Sequence, residues 1–140
     1  MSDCIDELRS GPAYRFQDWP DVRGIVPDAA GVYTIWSEPD QFLYVGRSVR
    51  LRTRLNSHWL GNRGNDQFNV YIADRILLPT LTPERIAQIG AGALRFDGMI
   101  RDYIRVNLHF RFSQTTDARP VEERIRAGGW PCGTPTLNPL

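Results

Sequence analysis

Short runs of β-branched and aromatic residues, separated by turn chemistry, mark the first recognisable elements of the chain. Gly31-Val32-Tyr33-Thr34-Ile35-Trp36 predicts a strand. Ser37-Glu38-Pro39-Asp40 predicts a turn, and Phe42-Leu43-Tyr44-Val45-Gly46 a second short strand, so the two pair as a hairpin. The period then lengthens. Leu51, Leu55 and Trp59 recur every four residues, as the buried stripe of a helix does, with Ser48 as its N-cap and Gly61 as its stop signal. Arg50, Arg54 and His58 recur at the same interval one position earlier, a polar row beside the buried one. Arg47 extends that row beyond the helix start.

Phe68 to Leu77 carries both periods: Val70, Ile72 and Ile76 suit a strand, while Phe68, Tyr71, Ile72, Arg75 and Ile76 suit a helix, the preferred reading. Thr82 caps a further helix with Pro83 at its first position, interrupted by Gly90 and Gly92. A helix over about Leu94 to Val106 buries Phe96, Met99, Ile100, Tyr103 and Ile104. Leu108 to Phe112 alternates as a third strand, and Arg119 to Arg126 forms a last helix ended by Gly128-Gly129, before an irregular tail containing three prolines. The predicted fold class is α/β, of the α+β-like kind, with a small, mainly antiparallel three-stranded sheet flanked by helices. Residues 1–28 form an N-terminal extension rich in Pro and Asp. It covers a sheet edge, contacts a partner, or restrains binding through its acidity.

With 140 residues the chain has room for one domain, and 41% hydrophobic with 24% charged residues describes a soluble globular protein rather than a disordered one. No stretch approaches the roughly 20 apolar residues that span a bilayer, and the acidic start lacks a signal peptide's pattern. Cys4 and Cys132 lie near opposite ends without close Cys or His neighbours, so neither a disulfide framework nor a zinc site is expected, and a reducing cytoplasm is the expected setting. The net charge of +1 excludes a generally basic nucleic-acid coat. Its distribution matters more. Residues 1–40 carry eight acids against three arginines, whereas residues 41–65 carry Arg47, Arg50, Arg52, Arg54 and Arg63 with no acid. That basic block is where a phosphate would bind. All 17 basic residues are arginine, which a GC-rich genome explains as readily as a need for guanidinium groups.

Gly31-Val32-Tyr33, ten residues, then Tyr44-Val45-Gly46-Arg47 resembles the paired tripeptide signature of the GIY-YIG nuclease superfamily. Arg54 followed by His58 fits the family's helix after the second strand. Glu122 in Val121-Glu122-Glu123-Arg124-Ile125 fits its late-helix glutamate, and Asn138 in Leu137-Asn138-Pro139 its carboxy-terminal asparagine. The resemblance covers about residues 29–140, the nuclease domain. Valine replaces the isoleucine of each tripeptide, an exchange between β-branched residues.

The resemblance implies a divalent-metal-dependent endonuclease that hydrolyses DNA to 5′-phosphate and 3′-hydroxyl ends, in repair, restriction, homing or defence. It implies Tyr33, Tyr44, Arg54, His58 and Glu122 as catalytic, Gly46, Arg47, Arg50 and Asn138 as substrate-binding, and Glu122 as ligand to one Mg²⁺ or Mn²⁺ per site. Such a cation suits a single carboxylate with waters and a phosphate oxygen. Glu123 competes with Glu122 for that place, since adjacent helical residues point about 100° apart; Ile125 at the i+3 position favours Glu122. The two tyrosines would position or deprotonate the attacking water, although a phenol needs a nearby cation to act as a base. Arg54 and Arg47 would brace the phosphate. His58 would take the water's proton or assist the leaving group, as imidazoles do; His109 reads as structural. Trp36, Trp59 and Trp130 offer either a base-stacking platform or core. DNA is the expected partner, with a homodimer or a second protein supplying affinity and specificity. The alternatives are a catalytically silent nucleic-acid-binding module and a protein-interaction domain on the same fold.

Overall fold

A computed structural model of the chain describes residues 2–38, 40–64 and 66–140. The chain begins with α1 (Ser2–Ser10), β1 (Tyr14–Arg15), a 3₁₀ turn over Phe16–Asp18, the short α2 (Trp19–Val22) and a second 3₁₀ turn over Arg23–Ile25. β2 (Gly31–Ser37) and β3 (Gln41–Ser48) make the predicted hairpin, followed by α3 (Leu51–Leu60) and by α4 (Gln67–Tyr71), which runs on as a π-helix over Ile72–Leu77. After α5 (Pro83–Gly90) come α6 (Phe96–Asn107), β4 (Leu108–Gln114) and α7 (Ala118–Arg126). Pro39, within the predicted turn, lies outside the described residues.

Among the described residues the sheet has four strands in the order β1-β4-β2-β3, each neighbour antiparallel. The α/β architecture is the predicted one, and the expectation of three strands is corrected by β1. Two residues, Tyr14 opposite Phe110 and Arg15 opposite His109, are too few for alternation to show in a sequence. They nevertheless cover the outer edge of β4, so the extension does shield a sheet edge.

β2 lies between β4 and β3 and is buried along its whole length because both faces are covered. Val32 and Trp36 pack with Ile5, Leu8, Val121, Ile125 and Trp130 on one side. Tyr33 and Ile35 pack on the other with Leu51, Leu55, Phe68, Ile72, Ile100 and Ile104. The residues before Gly31 contribute Ile5 and Leu8 to the first cluster and Phe16, Trp19 and Val26 to the second. Thr34, wholly buried, donates to the Leu8 carbonyl at 3.0 Å and accepts from Trp36 Nε1 at 2.9 Å, so α1 satisfies a polar group in mid-strand.

A bulge sets the register of the hairpin. Ile35 stands opposite Tyr44 but Trp36 opposite Phe42, leaving Leu43 as the extra residue. Leu43 and Tyr44 therefore both reach the core that contains α3 and α4, and Tyr33 falls opposite Gly46.

α3 starts later than predicted, because β3 continues to Ser48 opposite Gly31. Ser48 Oγ accepts the Arg50 N–H at 2.9 Å, and the capping of the first turn passes to Asp28, which accepts the Thr53 N–H at 3.1 Å. Gly61 ends the helix in the left-handed region at φ 79°. Leu51 and Leu55 are buried as expected, while Trp59 is half-buried beneath the Arg105 guanidinium, 3.8 Å from its ring centre. The segment from Phe68 to Leu77 is helical, and Thr82 caps α5 through the Arg85 N–H at 3.2 Å. Beyond α7 the tail follows β3, with the Thr136 and Leu137 amides donating to the Phe42 and Leu43 carbonyls. Among the described residues no helix is long and apolar enough to cross a membrane.

Candidate active site

Where β3 leaves the hairpin, the open end of the sheet forms a cavity of about 330 Å³ with mainly polar walls. β2 and β3 supply Tyr33, Tyr44, Val45, Gly46 and Arg47, α3 supplies Arg54, and α4 supplies Gln67 and Tyr71. α7 contributes Glu122 and Arg126, and the tail contributes Asn138. Gly46 is required by close approach: a Cβ there would overlap the Tyr33 ring and hydroxyl, so only a bare backbone lets that ring lie across β3.

One wall is a buried hydrogen-bonded line. Tyr33 Oη lies 2.6 Å from His58 Nε2, and His58 Nδ1 lies 2.6 Å from Asp66 Oδ2. His58 is 1% exposed, so this member of the polar row of α3 points into the core rather than to solvent. Phe68 packs on its ring at 4.7 Å between centroids, and the Tyr44 ring stands edge-on at 6.1 Å.

The opposite wall centres on a carboxylate. Glu122, 7% exposed, has Oε2 3.5 Å from Arg47 Nε and Oε1 3.3 Å from Arg126 Nη1. Arg126 also donates through Nε to the Asn138 carbonyl at 3.0 Å. The Asn138 amide is itself engaged: Oδ1 accepts the Val45 N–H at 3.2 Å and Nδ2 donates to the Val45 carbonyl at 2.7 Å. It thus replaces a neighbouring strand for one residue of β3 and ties the tail to the cavity floor.

Burial pushes the Tyr33 hydroxyl well above the ordinary phenol range, with Tyr44 and Asp66 adding to the effect and Arg54 opposing it. Tyr44 is pushed up to about 12, again first by burial and then by Asp66, with Arg54 opposing. Both phenols stay neutral in the fold at a pH where an unfolded chain ionises them, about 10. Their contribution to stability is complete below that pH and is lost as pH rises from there toward 12. Denaturant unfolding should therefore show stability falling between pH 10 and about 12. Stability unchanged over that range would contradict it.

Of the residues singled out in the sequence, Tyr33, Tyr44, Gly46, Arg47, Arg54, Glu122 and Asn138 line the cavity. His58 stands behind Tyr33, in contact with it. Arg50 is not brought in: its Nη2 pairs with Asp28 Oδ2 at 2.9 Å. Glu122 faces the cavity, while Glu123 is exposed and pairs with Arg119 at 3.0 Å. His109 is buried near Glu38 and Asp40, and none of the tryptophans lines the cavity. Trp36 and Trp130 lie in the core with centroids 6.1 Å apart.

Sequence reasoning missed Gln67, Tyr71, Arg126 and Asp66. Arg126 had a signal, since it follows Glu122 by four residues on one helix. Asp66 had a weaker one, as a capping residue type ahead of an apolar helical run.

As for a metal, Glu122 is the one carboxylate among the described residues lining the cavity, and the described residues hold no group of three or more His, Cys, Asp or Glu able to form a closed site. That donor set fits Mg²⁺ or Mn²⁺, which keeps waters and takes phosphate oxygens, and does not fit zinc.

No curated protein and no solved structure matches this chain. A family model does, over the residues that build the hairpin, α3 and the first part of the cavity wall. Residues 29–76 match the model of the GIY-YIG catalytic domain, and it is to that domain that the hairpin and α3 are similar.

Proposed function

We propose that the chain is a divalent-metal-dependent endonuclease that hydrolyses DNA phosphodiesters to 5′-phosphate and 3′-hydroxyl ends. The observation that carries this reading is the placement of Glu122, the two tyrosines and the Arg47 and Arg54 side chains around one polar cavity. Glu122 would hold one Mg²⁺ or Mn²⁺, which supplies charge neutralisation at the scissile phosphate when bound. Arg54 and Arg47 brace the non-bridging oxygens, where negative charge grows in the transition state. Arg47 and Arg126 are 40% and 31% exposed, so both can yield the carboxylate to a cation and turn to the phosphate. Tyr33 and Tyr44 position the attacking water and receive its proton, with His58 behind them as the next acceptor. Asn138 holds β3, and so Tyr44 and Gly46, in register for this work.

With a net charge of +1, a second copy or a partner protein supplies the remaining DNA affinity. Cys4 and Cys132 are both free, which suits a reducing, cytoplasmic setting.

End-labelled DNA and RNA strands, cut with Mg²⁺ present and analysed for their termini, test the substrate and the outcome together. DNA fragments with 5′-phosphate and 3′-hydroxyl ends are expected. Cutting of RNA alone, or ends of the opposite polarity, would overturn the reading. Gly46→Ala should lower the cleavage rate by about 10²-fold, because the added Cβ displaces the Tyr33 ring. An unchanged single-turnover rate for that variant would remove Tyr33 from the chemistry.

A further inference from the structure

Asp66 does not line the cavity, yet it is a buried carboxylate with an assigned partner for each oxygen. Its side chain is 4% exposed. Oδ1 accepts the Asn69 N–H at 3.2 Å and caps α4, while Oδ2 lies 2.6 Å from His58 Nδ1. The cap alone does not call for a charge, since Ser, Thr or Asn serves equally well there. Burying a carboxylate is costly unless a second group uses it.

With Asp66 ionised and the His58 ring neutral, each hydrogen of this line has one direction. An ionised carboxylate only accepts, so His58 Nδ1 carries the hydrogen. In the neutral ring Nε2 is then the acceptor, and the Tyr33 hydroxyl donates to it. We infer that Asp66 is a positioning residue for the reaction proposed above: it locks His58 in the Nδ1–H tautomer, so that Tyr33 donates inward and turns its oxygen lone pairs toward Tyr44 and the cavity. Tyr44, which also acts on the Tyr33 hydroxyl, would then be the donor to it, with its own lone pair left for the attacking water.

The inference rests on the nuclease reading and gives the water's proton a path. As the water oxygen attacks phosphorus with the electron pair of its O–H bond, the bond from phosphorus to the 3′ oxygen breaks, that oxygen takes a proton from a second water in the cavity, and the attacking water's proton binds Tyr44. Tyr44 passes its hydrogen to Tyr33, and Tyr33 passes its own to His58 Nε2, forming an N–H bond there. The imidazolium is then held opposite Asp66. When product leaves, one proton returns along the same line to water in the cavity, and each group regains its starting form. Tyr71 from α4, Arg54 from α3 and Glu122 from α7 also act on Tyr44, but Asp66 is the carboxylate bonded to the histidine.

The test has two independent readouts. Ring nitrogen NMR of the metal-free protein gives the tautomer, and His109→Gln identifies which signal is His58, because the chain has two histidines. The expected result is a protonated Nδ1 and a bare Nε2 at neutral pH, shifting toward the Nε2–H form in Asp66→Ser, which keeps a capping oxygen. The second readout is steady-state cleavage by Asp66→Asn, which keeps the cap and the size: kcat falls by about 10–100-fold while KM changes by less than about threefold. A bare Nδ1 or a doubly protonated ring in the wild type would overturn the lock, whether or not the variants fold. Wild-type kcat in a folded Asp66→Asn would overturn its part in the reaction. A wild-type chain with the expected tautomer that cuts no nucleic acid overturns the nuclease reading and leaves the lock standing.

Discussion

Glu122→Gln should reduce single-turnover DNA cleavage by about 10³-fold or more at saturating metal, while the protein remains folded. Glutamine keeps the size of the side chain and one acceptor oxygen, but it loses the charge that makes a carboxylate a Mg²⁺ ligand. The fold tolerates the change because its two partners are not sealed in. Arg47 and Arg126 are part exposed, so water solvates whichever guanidinium loses its carboxylate. The expected cost in stability is therefore only about 1 kcal/mol. Glu123→Gln is the matched control and should cut at the wild-type rate, since Glu123 pairs with Arg119 on the exposed side of α7. Parallel rate and melting measurements on both variants separate lost chemistry from lost structure. Equal rates for the two would contradict the assignment of Glu122.

The largest effect on stability is expected from a residue outside the hairpin. Trp19→Ala should cost about 3–5 kcal/mol in urea unfolding, out of a typical total of about 5–15 kcal/mol. Trp19 is 1% exposed, sits edge-on to Phe110 at 5.8 Å between centroids, and donates Nε1–H to Asn56 Oδ1 at 2.9 Å. Its removal opens a cavity beside Phe110 and leaves the Asn56 oxygen without that donor. Trp19→Phe keeps most of the apolar surface and should cost less. Because Phe16, Trp19 and Val26 share one cluster with Tyr33, Leu55 and Ile100, the loss should appear as one cooperative transition at a lower urea concentration. A separate early transition would contradict that.

The two strands of the hairpin and α3 could be read from the sequence because each is long enough to show its period. Gly31 to Trp36 is uniformly apolar apart from Thr34, and Leu51 to Trp59 repeats every four residues. The elements before Gly31 are too short for any period: β1 has two residues and α2 four. α1 is longer, but it buries only Ile5 and Leu8 among its described side chains, too sparse a stripe to stand out among charges.

The resemblance grouped Tyr33, Tyr44, Arg54 and Glu122, and all four line the one cavity. The site was not legible where a partner distant in sequence decides the outcome. Arg50 shares the spacing of Arg54, but Asp28 draws its guanidinium away from the cavity. His58 shares the same row, yet Asp66 and Tyr33 take up both of its ring nitrogens in the core. Asn138 lines the cavity, but the partner that holds it there, both backbone groups of Val45, lies 93 residues earlier in the chain.

The central claim is that this cavity cuts DNA with the help of a divalent cation bound by Glu122. Supercoiled plasmid incubated at low salt with the purified chain and Mg²⁺ or Mn²⁺ tests it most directly, with EDTA and Glu122→Gln alongside. Nicked or linear plasmid is expected from the wild type with metal, and intact plasmid from both controls. Cutting that survives EDTA and the substitution, or a wild type that leaves plasmid, branched DNA and RNA all intact, would contradict it.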